Sequence, residues 1–186
     1  MNAPVDVTNI CIETERLILR AWRESDLYDF FEYASVEGVG EKAGWNHHQS
    51  LEESRTILGF FIKNKKTLAL ELKESGKVIG SIGLEPRDED AGLPSQLLGR
   101  EIGYVLSKDY WGRGLMPEAV KAVINYCFSV LNYDYLTCGH FNHNGRSRRV
   151  VEKCGFVFLK NVVTPTVRGI DEPGKMYVLY NPFKER

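Results

Sequence analysis

The chain has little that would staple it, anchor it or charge it. Its four cysteines, Cys11, Cys127, Cys138 and Cys154, form no Cys-x-x-Cys pair and no metal-ligand rhythm. Neither a disulfide framework nor a metal site is expected, and each cysteine reads as a small apolar residue of a reduced, cytoplasmic protein. No apolar run is long enough to span a bilayer, and residues 1–7 lack the basic start and apolar core of an export signal, so no membrane partner is expected. Charge of one sign is missing too. The 24 basic and 25 acidic residues leave a net charge of -1, which gives no electrostatic case for nucleic acid as a partner. There is no internal repeat and no low-complexity tract.

What is present is one alternating series of strands and helices. With 186 residues the chain can bury one sizeable core, and a single domain over 14–186 after a short tail at 1–13 is expected. Alternation marks a strand at 16–22. Ser25 is placed to cap a helix through 26–33, with Leu27, Phe30, Phe31 and Ala34 on one face. Ser50-Leu51-Glu52-Glu53 is a capping-box pattern opening a helix to about Asn64. Strands at 67–72 and 77–84 flank the turn signal Glu74-Ser75-Gly76. The polar, glycine- and proline-punctuated stretch 87–99 reads as a mobile loop. A strand at 100–106, a helix from about 116 to 131, a strand at 135–140 and a short helix capped by Asn144 and ending at Lys153 follow. Strands at 156–163 and 176–180 close the chain, with a Pro- and Gly-rich connection between them. Such interleaving implies an α/β fold with helices on both faces of a mixed sheet.

The series is organised around Arg100-Glu101-Ile102-Gly103-Tyr104-Val105-Leu106, the turn Trp111-Gly112-Arg113-Gly114-Leu115-Met116, and Pro117-Glu118-Ala119. Two glycines let the backbone bend tightly, and Pro117 falls in the first turn of a helix, where a missing N–H costs nothing. A turn of this kind gathers unpaired N–H groups at a helix N-terminus, which suits a phosphate or pyrophosphate. From glycine spacing alone, a well-capped strand-to-helix turn is a sufficient explanation.

That stretch resembles the acetyl-CoA-binding motif of the GNAT N-acetyltransferase superfamily, in the form found in the RimJ/RimL-type (ribosomal-protein N-terminal acetyltransferase-like) branch. A second block, Asn144-Gly145-Arg146-Ser147 with Glu152-Lys153-Cys154-Gly155-Phe156, is similar to that branch as well. The resemblance runs from Thr14-Glu15-Arg16-Leu17 to Met176-Tyr177-Val178-Leu179-Tyr180. It implies the GNAT fold, a mixed and mostly antiparallel central sheet splayed in the middle, with acetyl-CoA as co-substrate and no metal. It implies that backbone groups of Tyr104, Val105 and Leu106 pair with the pantetheine arm, and that amides from Gly112 to Pro117, including Arg113, Gly114, Leu115 and Met116, hold the pyrophosphate. Trp111 and Met116 depart from the wider superfamily pattern and match the branch. Arg113 either adds a contact to phosphate or is solvated.

The resemblance further gives Asn144 a hydrogen bond to the pantetheine amide and places Ser147 near the thioester sulfur; helix capping explains either residue equally well. Val151 stands where many superfamily members carry a tyrosine acid, and Gly139 where some carry a glutamate base. Glu101 is then the best base, unless it is a strand-end carboxylate paired with Arg100, Arg16 or Arg20. His140 and His143 rank lower. Arg148, Arg149 and Lys153 lie beside the expected cofactor mouth, as phosphate attractors or as a wet helix face. Trp45, His47 and His48 fall where relatives shape the acceptor pocket. Glu85, Asp88, Glu89 and Asp90 would suit a cationic acceptor.

The reaction implied is acetyl transfer to a primary amine by direct attack, with no nucleophilic cysteine; Cys154 is explained by packing. The resemblance implies a protein N-terminal α-amine as acceptor. A small amine such as an amino acid, polyamine or antibiotic is the alternative, and a non-catalytic CoA-binding regulatory module is the alternative of another class. A homodimer is compatible with the resemblance.

Overall fold

A computed structural model of the chain describes residues 1–87 and 92–184. The strands are β1 Cys11–Glu13, β2 Leu17–Ala21, β3 Thr67–Leu72, β4 Lys77–Glu85, β5 Gly99–Leu106, β6 Tyr135–Phe141, β7 Val157–Pro165 and β8 Asp171–Tyr180. The α-helices are α1 Leu27–Ala34, α2 Leu51–Asn64, α3 Leu115–Ser129 and α4 Gly145–Lys153. Eight strands form one mixed sheet in the order β1-β2-β3-β4-β5-β6-β8-β7.

Every neighbouring pair is antiparallel except β5 with β6. That parallel pair is joined through α3, since parallel neighbours need a crossover. Its pairing runs only from Gly99↔Tyr135 to Ile102↔Cys138. Beyond it, residues 103–106 of β5 and 139–141 of β6 diverge, so the sheet opens in its middle.

Strand alternation sends side chains to two cores. Leu17, Leu19, Leu68, Leu70, Ile82 and Ile102 meet Ala119, Val120, Val123 and Cys127 of α3 in one cluster. On the opposite face Trp22, Ala69 and Val78 meet Phe30, Tyr33 and Leu58 of α1 and α2. The helices therefore cover both faces, as the alternating series implied. Among the described residues no helix is long and apolar enough to cross a membrane.

The structure differs from the sequence expectation in several places. Residues 1–13, expected as a tail, contribute Ala3, Val7 and Ile10 to the main core, and residues 11–13 form β1 against β2. The Met1 amino group donates to the carbonyls of Ser95 and Leu97, at 2.7 and 2.6 Å, so Met1 holds the 95–97 end of the stretch expected to be mobile; residues 88–91 of that stretch lie outside the described residues. Ser25 is not the cap of α1: Asp26 takes that place, accepting from Arg23 N–H at 2.8 Å and holding both ends of the buried Arg20 guanidinium at 2.8 and 2.9 Å. Donation to Asp26 raises the Arg20 pKa and outweighs burial, which opposes the charge; Glu71 adds to the rise.

The last strand begins at Asp171 instead of Met176. The Pro- and Gly-rich stretch is strand because Pro173 offers only its carbonyl, to Asn142 N–H at 2.9 Å, and Gly174 lies where a Cβ would stand 2.7 Å from the His140 carbonyl oxygen. Here glycine serves close strand approach.

Candidate active site

The opening between β5 and β6 continues into a cavity of about 540 Å³. Its walls come from β5, the turn after it, the start of α3, β6, α4, Val162 and Thr164 of β7 and Met176 of β8, together with Val39, Lys42 and Ala43.

Hydrogen-bond direction fixes what β5 presents. Ser107 N–H donates to Ile79 O of β4 at 2.8 Å, while Ala3 N–H bonds Gly99 O on that same side. Strand alternation then turns residues 101, 103 and 105 toward β4, and Arg100, Ile102, Tyr104 and Leu106 toward β6. Because β6 has already diverged, the N–H and C=O of Tyr104 and the N–H of Leu106 face the gap. Leu106 O is occupied by Trp111 Nε1–H at 2.8 Å. Val105 thus lends side-chain wall, and Tyr104 with Leu106 lends backbone.

Gly112 and Gly114 have φ of +80° and +77°, a region L side chains rarely adopt, and they let the chain swing from the strand end into α3. Gly112, Gly114, Leu115, Met116 and Pro117 all line the cavity, where the first N–H groups of α3 have no intrahelical partner. Arg113 does not line it; its guanidinium lies over the Tyr110 ring, 5.1 Å from the centroid.

Asn144 caps α4, its Oδ1 accepting from Ser147 N–H at 3.2 Å while its amide donates to Lys42 O at 3.1 Å. Ser147 sits one turn in, and its Oγ is 2.8 Å from the Tyr104 hydroxyl. Burial pushes the Tyr104 phenol well above its ordinary pKa, so it stays protonated. That hydroxyl contact was missed from sequence; its signal was the aromatic one residue past the glycine of β5. Along α4 the spacing 146, 149, 153 brings Arg146, Arg149 and Lys153 to the cavity on one helical face. Arg146, which sequence reasoning passed over for Arg148, stacks over Trp111 at 4.7 Å. Arg148 turns away to Glu152, 3.3 Å distant.

Glu101, half-buried, lines the cavity across from α4. Its Oε1 lies 4.0 Å from where a Cβ would stand on Gly139, so its carboxylate borders the space that a longer residue at 139 would enter. Of the arginines near it in the sequence reading, Arg16 pairs with Glu118, Arg20 with Asp26 and Glu71, and Arg100 Nε donates to Ala3 O.

The histidines are held in structural contacts. His140 lines the cavity; its Nδ1–H donates to Phe141 O at 2.9 Å, and its Nε2 lies 3.2 Å from the Tyr177 hydroxyl. His143 faces Glu172 at 3.5 Å. His48 is buried against Ser54, Phe30 and Trp45, and burial lowers its pKa. His47 donates to Glu41 at 2.8 Å. Burial works against charge on that carboxyl, yet bonds from the His47 ring and from the amides of His47 and Gly38 hold its pKa at about 2. None of Trp45, His47 and His48 lines the cavity; Val39, Lys42 and Ala43, just before them, do. Glu85 pairs with Lys66, and Asp88, Glu89 and Asp90 lie outside the described residues.

A sheet opened at one parallel pair, with strand backbone on one side and a helix N-terminus at its end, has room and polarity for an extended, anion-bearing ligand. The chain belongs to the acetyltransferase (GNAT) domain family, whose model matches residues 16–157. It is 27% identical over 150 residues to the uncharacterized N-acetyltransferase YoaA of Bacillus subtilis, covering 78% of this chain and 81% of that one. Its fold matches the GNAT-family acetyltransferase from Bacillus anthracis with a TM-score of 0.80 at 21% identity, over 92% of this chain and 99% of that one. It also matches the ribosomal-protein-S5-alanine acetyltransferase from Vibrio fischeri, with a TM-score of 0.72 at 20% identity, over 96% and 100%. The protein is an acetyltransferase of this family, and the family's donor is acetyl-CoA.

The residues present fit that donor. Tyr104 and Leu106 would receive the amide-bearing arm as an added strand, the turn from Gly112 to Met116 would receive the pyrophosphate, and Arg146, Arg149 and Lys153 supply cations beside it.

Proposed function

We propose that this protein acetylates the α-amine of a protein N-terminus by direct attack of the amine on the thioester. One observation carries the reading: Glu101 on β5 and Ser147 on α4 line a single cavity, together with the turn suited to phosphate. Acetyl-CoA, when bound, supplies an activated acetyl carbonyl.

Each step needs a protein group. The acceptor arrives as an ammonium and must lose a proton; Glu101, as carboxylate, takes it directly or through one water. Asn144 and the backbone of Tyr104 orient the arm so that the reacting atoms meet. Ser147, its Oγ 2.8 Å from the Tyr104 hydroxyl, would hydrogen-bond the sulfur as the N–C bond forms and the C–S bond breaks, and would relay the second amine proton to the departing thiolate. Val39, Ala43, Phe141, Val162 and Met176 give the cavity apolar wall beside Lys42, His140 and Thr164, and this wall is assigned to the first residues of an extended acceptor chain.

The reading is tested by thiol release from acetyl-CoA against peptides with free N-termini, the same peptides with blocked N-termini, and a panel of small amines. Turnover on free N-termini only is expected, and Glu101→Gln should lower kcat by about a hundredfold while removing the acid limb of the pH profile. Turnover confined to small amines would replace the acceptor, and acetyl-CoA binding with no turnover on any amine would favour the regulatory module.

A further inference from the structure

Glu118 lies in the first turn of α3, beside the very N–H groups that the proposed function gives to pyrophosphate. A free carboxylate there would compete with phosphate for the helix N-terminus. It is not free. Its Oε1 accepts from the Thr14 hydroxyl at 2.6 Å and from Arg16 N–H at 2.9 Å, and its Oε2 accepts from Arg16 Nε at 2.7 Å and lies 2.6 Å from Nη2. Burial favours protonation of Glu118, but these bonds prevail and hold its pKa below the usual carboxylate value. The carboxylate is thus neutralised and saturated by residues at the head of β2.

Arg16 has one more contact. Its Nη1 donates to the Arg113 carbonyl at 2.9 Å. A peptide group is planar and trans, so its C=O and the N–H of the next residue point in opposite directions. Drawing the Arg113 carbonyl out toward Arg16, which does not line the cavity, aims the Gly114 N–H the other way, and Gly114 does line it. Without that tether, glycines at 112 and 114 would leave the peptide free to turn over.

We propose that Arg16, locked by Glu118 and Thr14, is a positioning residue that sets the direction of the Gly114 amide and so the affinity for the pyrophosphate of CoA, without touching the ligand. The proposal rests on the turn being the pyrophosphate site. A planar fork is required for simultaneous bonding to Glu118 and the Arg113 carbonyl, which a lysine ammonium does not supply.

The test is calorimetric titration of wild type, Arg16→Met and Arg16→Lys with CoA and with pantetheine, which lacks the pyrophosphate. Both variants should bind CoA about tenfold more weakly and pantetheine within about twofold of wild type. Unchanged CoA affinity in Arg16→Met, or equal weakening toward both ligands, would overturn the positioning role. Full CoA affinity in Arg16→Lys would replace positioning with simple charge. Wild type binding CoA no tighter than pantetheine would overturn the pyrophosphate assignment of the turn itself. Arg16→Lys retains the charge opposite Glu118, so it carries the test if Arg16→Met does not fold.

Discussion

Residues of one chemical type take opposite roles here according to what surrounds them. Glu101 and Glu118 are both partly buried, but Glu118 is bound by Thr14 and Arg16 outside the cavity, whereas Glu101 lines the cavity beside Gly139. His48 shows the cost of burying a titratable group. Its ring bonds Ser54 at 2.7 Å, and burial lowers its pKa below the ordinary 6.5 despite the opposing pull of Glu53. The unfolded chain therefore binds the proton first. The His48 contribution is fully present above about pH 6.5 and is lost as pH falls toward the folded pKa. Urea midpoints should drop between about pH 7.5 and 5.5 in wild type, and less so in His48→Asn; equal drops would mean that His48 does not carry this acid sensitivity. Glu101, Asn144 and Ser147 were named from sequence through their motif blocks, and the cavity gathers all three. The Tyr104 hydroxyl was not, because a strand pattern gives the face of a side chain but not what lies across the opening.

At the scale of elements, the local signals that worked were those with a local cause. Ser50 caps α2 by accepting from Glu53 N–H at 3.2 Å, the hairpin turn at 74–76 has Gly76 at φ +70°, and the glycines of the central turn sit at positive φ where a tight bend was expected. The β7–β8 hairpin was legible only in part. Its pairing runs from Val157↔Val178 to Pro165↔Asp171, through Pro173 and Gly174, whose residue types argue for a loop. What keeps the segment extended is non-local: β6 approaches so closely that only glycine fits at 174. Gly174→Val should cost about 2 kcal/mol of stability by forcing β8 away from β6, read as a lower urea midpoint at constant m. An unchanged midpoint would show that the strands can separate freely there.

For the molecule as a whole, the interleaving of strands and helices was readable and the opening in the sheet was not. Periodicity marks β5 and β6 as strands, yet says nothing of where their pairing stops. That limit, at Ile102↔Cys138, is what makes room for a ligand, and it was anticipated through family resemblance alone. Composition likewise hid the packing of the first ten residues, where Ala3, Val7 and Ile10 are buried in the main core and Val5 packs against it. The same opening brings strand backbone, helix amides, Glu101 and Ser147 together, so occupancy of it by donor is the central claim. The most direct test is calorimetric titration with acetyl-CoA of wild type and Gly114→Val, a change that places a β-branched residue at φ +77° without removing any charge. One-site binding in wild type, weakened by about a hundredfold or more in a variant that still melts cooperatively, is the predicted result. Equal affinity in the two proteins, or no binding by wild type, would contradict the account.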